Sequence, residues 1–445
     1  RVKKIKPLIT RGFFLYFYLM IFIDKTLAKI YFAFLPLLII VPNWSVIDIK
    51  GMLWLYISIL NTLFISYIVL FKSTQNFKFI KNRVFISFLI FFIASLLSAV
   101  GAINKAESLQ RITDFYCILS SLFVIYFFIN NHYIKPIVIM KIVLITFILD
   151  LLGSYFQLTQ VYKFNDVFTS ANGADVKSFY PNKNIASFIY IVKLFKISLI
   201  PIFSTNKYLR ILIVIVNFLA FYILFLLSTR ALLLLLPVIL TIILSIILAK
   251  RFFYKNSLRK SISDFRNFIL PLVASFILFN LTVNSQSDIV VDERMSSVFS
   301  NNDESVNNRV RFYSHAISQI RLTPILGIGV GNWRIKSIEY DKDNVYSYVV
   351  PYSVHNDFLE IFAETGILGF VPFTLFFFLL FFKILKGSLT YLKENINLSS
   401  IYLFLGFTMI LADLNLNFPL DRPTSMITYI LFISIVESIH SYQYE

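Results

Sequence analysis

The sequence is poor in cysteine and in charge. It has one cysteine, Cys117, and only 15% of its 445 residues are charged. A single thiol in an apolar run excludes an intrachain disulfide and a cysteine-rich metal site. Soluble domains are about 25% charged and about 45–50% apolar. The composition therefore excludes an ordinary soluble domain.

The sequence is rich in hydrophobic residues. The chain is 58% hydrophobic, and its mean hydropathy is +0.76. Many apolar runs approach the length of about 20 residues that a helix needs to cross a bilayer. The 50 Phe and 25 Tyr suit a surface that faces membrane lipids, with aromatic belts at both interfaces. These features predict an all-α polytopic membrane protein.

The apolar runs predict an interfacial helix within residues 1–29, followed by twelve transmembrane spans. The spans are predicted at 30–47, 53–71, 84–103, 111–129, 136–156, 184–203, 208–227, 231–249, 267–283, 366–386, 398–415 and 423–440. With these spans, the connections rich in Lys and Arg fall on the side of the N-terminus. That side is predicted to be cytoplasmic. Both termini are then inside, and the long connection 284–365 is outside.

The charge distribution divides the chain into three parts. Residues 284–364 hold 11 acidic and 7 basic residues, a balance of −4, so the net charge of +17 leaves +21 for the remainder. The excess lies in short connections, which indicates cytoplasmic loops and no nucleic-acid partner. We expect a membrane domain at 1–283, with the interfacial helix and spans one to nine. A helical periplasmic loop at 284–365 carries the site, and the last three spans occupy 366–445.

The external loop has its own helical pattern. A helix is predicted over Arg309–Leu322, and Pro324 ends it. The run GIGVGNW follows, and its three alternating glycines predict a tight, flexible bend. This run lacks the preceding strand of a dinucleotide-binding fingerprint. A second helix is expected near Trp333–Tyr340, and a third is expected to run from His355 into the tenth span.

His355 is the candidate general base of this loop. Asp357, Glu360 and Glu364 follow it at short spacing, and the other three histidines lack a comparable acidic context. Imidazole, with a pKa of about 6.5, is the usual general base at neutral pH. Glu364 is a candidate to orient the base or to pair with an arginine. The alternative for His355 is a loop histidine at an interface without a catalytic role. The alternative for Glu364 is a structural ion pair.

Three arginines are candidate ligands for an anion. Arg230 lies in a short turn that is predicted to be external, where a positive charge runs against the positive-inside trend. The alternative interpretation is that its side chain snorkels to the lipid headgroups. The planar guanidinium groups of Arg309 and Arg311 could bind a diphosphate through pairs of hydrogen bonds. The alternative interpretation is that they form the solvated basic end of a helix. Together with His355 they indicate a site for an anionic lipid head beside a base. No DxD cluster is present, and one histidine makes a poor metal site, so no metal or cofactor is expected.

Several motifs resemble the O-antigen ligase and O-antigen polymerase superfamily. They are His355-Asn356-x-x-Leu359, Glu364-x-Gly366-x-x-Gly369, Pro324-x-x-Gly327-x-Gly329, Arg309-x-x-x-Tyr313-x-x-Ala316, the turn Ser228-Thr229-Arg230 and, loosely, Pro181-Asn182-x-Asn184-x-Ala186-Ser187. The motifs cover roughly residues 180–370, and the predicted topology extends the resemblance to the whole chain.

The resemblance implies a fold similar to GT-C glycosyltransferases and a metal-independent, inverting glycan transfer. It implies a donor glycan on undecaprenyl diphosphate, the lipid A core as acceptor, and a periplasmic site in the bacterial inner membrane. By motif, the catalytic base is His355, the diphosphate ligands are Arg230, Arg309 and Arg311, and the supporting residues are Glu364, Asn356 and Asn182.

Other reactions fit the same residues. An O-antigen or exopolysaccharide polymerase would use another lipid-linked repeat as acceptor, and a protein O-oligosaccharyltransferase would use Ser, Thr or Tyr. Both share the donor chemistry, and the ligase comes first because the loop pattern resembles that branch most. A transporter of lipid-linked sugar would need no base and would commonly show an internal repeat, which the sequence lacks. A structural scaffold would leave Arg230 unexplained.

Overall fold

The computed structural model describes residues 5–40, 49–72, 75, 77–164, 172–253, 258–284, 304–344, 352–394 and 398–443. Regular structure in these ranges is helical, as the sequence predicts. In chain order the α-helices are α1 (Ile5–Leu37), α2 (Ile49–Phe71), α3 (Arg83–Ser98), α4 (Lys105–Asn130), α5 (Pro136–Phe164), α6 (Lys183–Ile197), α7 (Ile200–Phe203), α8 (Lys207–Leu227), α9 (Arg230–Phe252), α10 (Leu258–Phe279), α11 (Glu304–Leu322), α12 (Trp333–Asp341), α13 (Asp357–Glu394), α14 (Leu398–Leu416) and α15 (Pro423–Gln443).

Eleven helices in the described ranges are long and apolar enough to cross a membrane. Each predicted span from the second to the twelfth overlaps one of them, which confirms a polytopic all-α membrane protein. Helices α6 and α15 form the centre of the bundle, since 89% of the apolar stretch of each is buried, against 28% for α2.

The amino-terminal helix differs from the prediction. A separate interfacial helix and a first span at 30–47 were expected, but α1 runs unbroken from Ile5 through the interfacial stretch into the first part of that span, as far as Leu37, and residues 41–48 lie outside the described ranges. The charged stretch that suggested a boundary contains Asp24, which is buried and pairs with Lys72 at 2.8 Å. Because this pairing satisfies the carboxylate inside the bundle, the helix continues through the stretch.

A kink in α13 anchors the described segment 304–344, which the sequence predicts to be external. Gly366 has φ 60° and ψ −165°, a left-handed conformation that favours glycine. A Cβ on Gly366 would lie 2.1 Å from the Ile325 carbonyl oxygen, and one on Gly327 would lie 2.3 Å from the Glu364 backbone. The Gly329 N–H donates to the Glu364 carbonyl at 2.9 Å. The predicted glycine-rich bend is therefore formed, and it docks backbone to backbone on the kink.

The helices flanking this bend match their predictions closely. Helix α11 begins five residues earlier than expected and ends at Leu322, just before Pro324. Helix α12 begins at Trp333, as predicted, and ends one residue later than expected. The bend also packs on the start of α4, because a Cβ on Gly331 would lie 2.7 Å from the Glu107 carbonyl oxygen. The segment 304–344 is thus fixed to one end of the bundle.

Candidate functional site

His355 lies two residues before α13 in a strained backbone conformation. Its φ is 60°, in the left-handed region, which costs roughly 1–2 kcal/mol for a residue with a Cβ. Such strain persists where the surroundings impose it. The Tyr313 hydroxyl donates to the His355 carbonyl at 3.3 Å. Next to it, the Asn356 side chain accepts the Leu359 N–H at 3.1 Å and caps α13. Asn356 therefore supports His355 through the backbone.

The three acids that follow His355 are buried, and each accepts a backbone N–H from a different segment. Asp357 accepts from Leu420 at 3.1 Å, Glu360 from Val354 at 2.9 Å, and Glu364 from Trp333 at 2.9 Å. These bonds tie the start of α13 to the turn before α15, to the residue preceding His355, and to the start of α12. The acidic residues that distinguish His355 in the sequence therefore hold the backbone segments around it in place.

The His355 ring sits between two aromatic rings. It stacks on Phe312, with centroids 6.2 Å apart, and meets Phe418 edge-on at 4.9 Å. Within the described residues its buried Nδ1 has no hydrogen-bond partner. Burial first, and then the positive charges of Arg309 and Arg422, lower the pKa of His355 to about 4. The imidazole is therefore neutral at pH 7 and has a free nitrogen to accept a proton.

Arg309 and Arg311 have different environments although they are two residues apart on α11. Arg309 is half-buried and close enough to His355 to lower its pKa. Arg311 pairs with Asp341 at the end of α12, with Nε 2.8 Å from Oδ1. The structure thus brings Arg309 to the His355 group, whereas the charge of Arg311 is balanced by an internal partner.

The remaining candidates lie farther along the chain. Arg230 is the first residue of α9, after Ser228 in a left-handed conformation, so the predicted short turn is present. The side chain of Arg230 lies outside the description. Asn182 caps α6, since its side chain accepts the Ile185 N–H at 3.0 Å. This cap accounts for the asparagine at the start of that span.

Arg422 is a neighbour of His355 that the sequence reasoning missed. It is half-buried in the turn between α14 and α15, with its guanidinium carbon 3.8 Å from the Phe418 ring centroid. Burial lowers the pKa of Arg422. One signal was present in the sequence, because an arginine in a predicted external connection runs against the positive-inside trend, as Arg230 does.

Behind this turn lies a small pocket that is lined mainly by charged side chains. Asp421 reaches into it and pairs with Arg111 and with Arg334, the latter at 2.6 Å. Glu364 also lines it, and its Oε2 is buried without a hydrogen-bond partner in the described ranges. Those ranges hold no cluster of three or more His, Cys, Asp or Glu residues suited to a metal ion. The absence of a metal stays a prediction.

Comparison with known proteins relates part of the chain to a family. Residues 215–374 match the family described as O-antigen ligase. The match contains Arg230, Arg309, Arg311 and His355, and it ends before Arg422. No curated protein matches the chain. The matched segment, which runs from α8 into α13, is similar to the O-antigen ligase family and supports a relationship of this multi-pass membrane protein to that superfamily.

Proposed function

We propose that the chain transfers a glycan from undecaprenyl diphosphate to an acceptor hydroxyl, with the lipid A core as acceptor. The observation that carries this proposal is the neutral, half-buried His355, with an unpartnered Nδ1 and arginine charges nearby. A base beside cations suits a reaction that removes a proton from one partner and expels a diphosphate from the other.

The proposed step is a single inverting displacement. The acceptor hydroxyl attacks the anomeric carbon while His355 takes the hydroxyl proton. The bond from the anomeric carbon to the diphosphate oxygen breaks, and undecaprenyl diphosphate leaves with the electron pair. Arg230 and Arg309 stabilise the charge that develops on the leaving group. No step requires a metal or another cofactor.

The supporting residues act through position. Asn356 and Glu364 hold the backbone on either side of the first turns of α13. Arg311 pairs with Asp341 and holds α11 on α12, so we assign it to positioning and leave the diphosphate to Arg230 and Arg309. Asn182 fixes the start of α6.

We place the site on the periplasmic face of the bacterial inner membrane and both termini in the cytoplasm. Support comes from the basic connections, which collect at the end of the bundle opposite His355 when each long helix crosses once. A lipid-linked donor would then reach the arginines from the outer leaflet.

The test is a transfer assay with purified protein, glycan on undecaprenyl diphosphate, and EDTA. The wild type is expected to transfer glycan to lipid A core. His355→Ala is expected to lose about 10²–10⁴-fold in rate and to keep donor binding. The matched control is His315→Ala, because His315 also lies on the external segment but stacks on Tyr340, 5.4 Å away. It is expected to keep the wild-type rate.

The same assay separates the alternatives. Transfer only to a second lipid-linked repeat would make the protein a polymerase, and transfer only to Ser, Thr or Tyr would make it a protein glycosylating enzyme. Undiminished transfer by His355→Ala would overturn the proposed mechanism. Donor binding without transfer to any acceptor would favour the transporter.

A further inference from the structure

We propose that Arg422 binds the donor diphosphate together with Arg309, so that the leaving group is held by the turn between α14 and α15 as well as by α11. This inference rests on the proposed function. It adds a ligand from a part of the chain beyond residues 215–374, which the family match does not reach.

One aromatic ring joins Arg422 to the site. The guanidinium lies over Phe418 at 3.8 Å from the ring centroid, and the same ring meets His355 at 4.9 Å. Arg422 directly follows the short helical turn Pro419–Asp421, and the Leu420 N–H in that turn donates to Asp357 at 3.1 Å. The turn that carries Arg422 is therefore fixed to the first residue of α13, two residues after His355.

The acids near Arg422 have other partners. Asp421 pairs with Arg111 and Arg334. The other two acids that act on Arg422 are Asp413, which accepts from Tyr429 and from Asn417, and Asp357, which accepts from Leu420. Among the described residues, no carboxylate forms an ion pair with Arg422. The donors of its guanidinium are therefore available to a ligand.

The chemistry of the site favours a diphosphate as this ligand. A half-buried arginine without an ion-pair partner is costly until an anion approaches it. The planar guanidinium matches phosphate oxygens with two parallel hydrogen bonds. Arg309 and Arg422 belong to different segments and both act on His355. A diphosphate between them would be neutralised from two directions, beside the nitrogen that takes the acceptor proton.

The experiment measures the affinity of the full-length protein in detergent for undecaprenyl diphosphate without glycan, with undecaprenyl monophosphate as comparison. Arg422→Gln is expected to weaken diphosphate binding by about 10-fold or more, since a charge-assisted contact is lost. Arg422→Lys keeps the positive charge but loses the planar guanidinium that forms two parallel hydrogen bonds. We therefore expect an intermediate affinity and a reduced preference for the diphosphate over the monophosphate. The control is Arg321→Gln, an exposed arginine at the end of α11, which should bind as the wild type does.

The outcomes distinguish this inference from the function on which it rests. Wild-type affinity in both Arg422 variants, with weakened binding in Arg309→Gln, would overturn the role of Arg422 and leave the function standing. A wild type that binds no undecaprenyl diphosphate would overturn the function itself. If Arg422→Gln is not recovered folded, Arg422→Lys decides, because full affinity and full diphosphate preference in that variant would contradict the assignment. An equal loss for both lipids would indicate a purely structural role.

Discussion

Two groups of buried charges in this protein differ in how their charges are balanced. Inside the bundle, Asp150 of α5 pairs with Lys193 of α6 and accepts the Tyr180 hydroxyl at 3.0 Å. At the end of the bundle that carries His355, Arg309 and Arg422 both act on this histidine, and Arg422 has no ion-pair partner among the described residues. The charges of the interior group are balanced within the protein, whereas the group around His355 has hydrogen-bond donors left for a ligand.

The difference shows that charge balance separates structural from functional charges better than burial does. A charge in the membrane interior suggests a functional site by default, yet the contacts of Asp150 explain its presence without a ligand. The same distinction holds on one helix, since Arg311 is paired with Asp341 whereas the charge of Arg309 acts on His355. Three predictions test this comparison.

The largest effect is expected from breaking the interior pair. Lys193→Met would leave Asp150 buried without its counter-charge and should lower the free energy of unfolding by about 3–5 kcal/mol. The double variant Asp150→Asn with Lys193→Met removes both charges and keeps an acceptor for Tyr180, so it should recover most of the loss. The free energy of unfolding of both variants is measured in detergent. Equal stability of the single variant and the wild type would show that the pair is not structural.

An intermediate effect is expected in the pH dependence of transfer. With the pKa of His355 lowered to about 4, kcat/KM should stay level from pH 7 to about pH 5 and fall as the imidazole gains its proton. Arg309→Gln removes a positive charge that opposes protonation. The pKa of His355 then rises, and the acidic limb should move up by about one pH unit. Arg321→Gln should leave the acidic limb at its wild-type position. A shift of this limb to lower pH in Arg309→Gln would contradict the assignment of the limb to His355.

The smallest effect is expected from Arg311→Gln. Because Asp341 already neutralises Arg311, the loss of Arg311 should change the affinity for undecaprenyl diphosphate by only a few-fold. Arg309→Gln, on the same helix, should weaken binding by about 10-fold. The reverse order of these two affinities would show that the ion pair opens to receive the donor.

The sequence by itself determined the membrane class, eleven of the predicted spans, the end of α11 and the start of α12. These properties depend on local information. A span needs an apolar run of sufficient length, and Pro324 ends α11 because proline cannot continue a helix. The choice of His355 also came from the sequence, through the acids that follow it. The continuous α1 was missed because Asp24 in its charged stretch pairs with Lys72, which directly follows α2 and is distant in sequence.

Only the tertiary structure decided which charges are paired. Arg309 and Arg311 look alike in sequence, and the separation appears once α12 places Asp341 against one of them. Arg422 enters the site because α14 and α15 return the chain to His355 and because Arg111 and Arg334 draw Asp421 away from it. Electrostatic interactions depend on distance in space. Spacing along the chain therefore predicts which residues are candidates, and packing decides which of them remain available to a ligand.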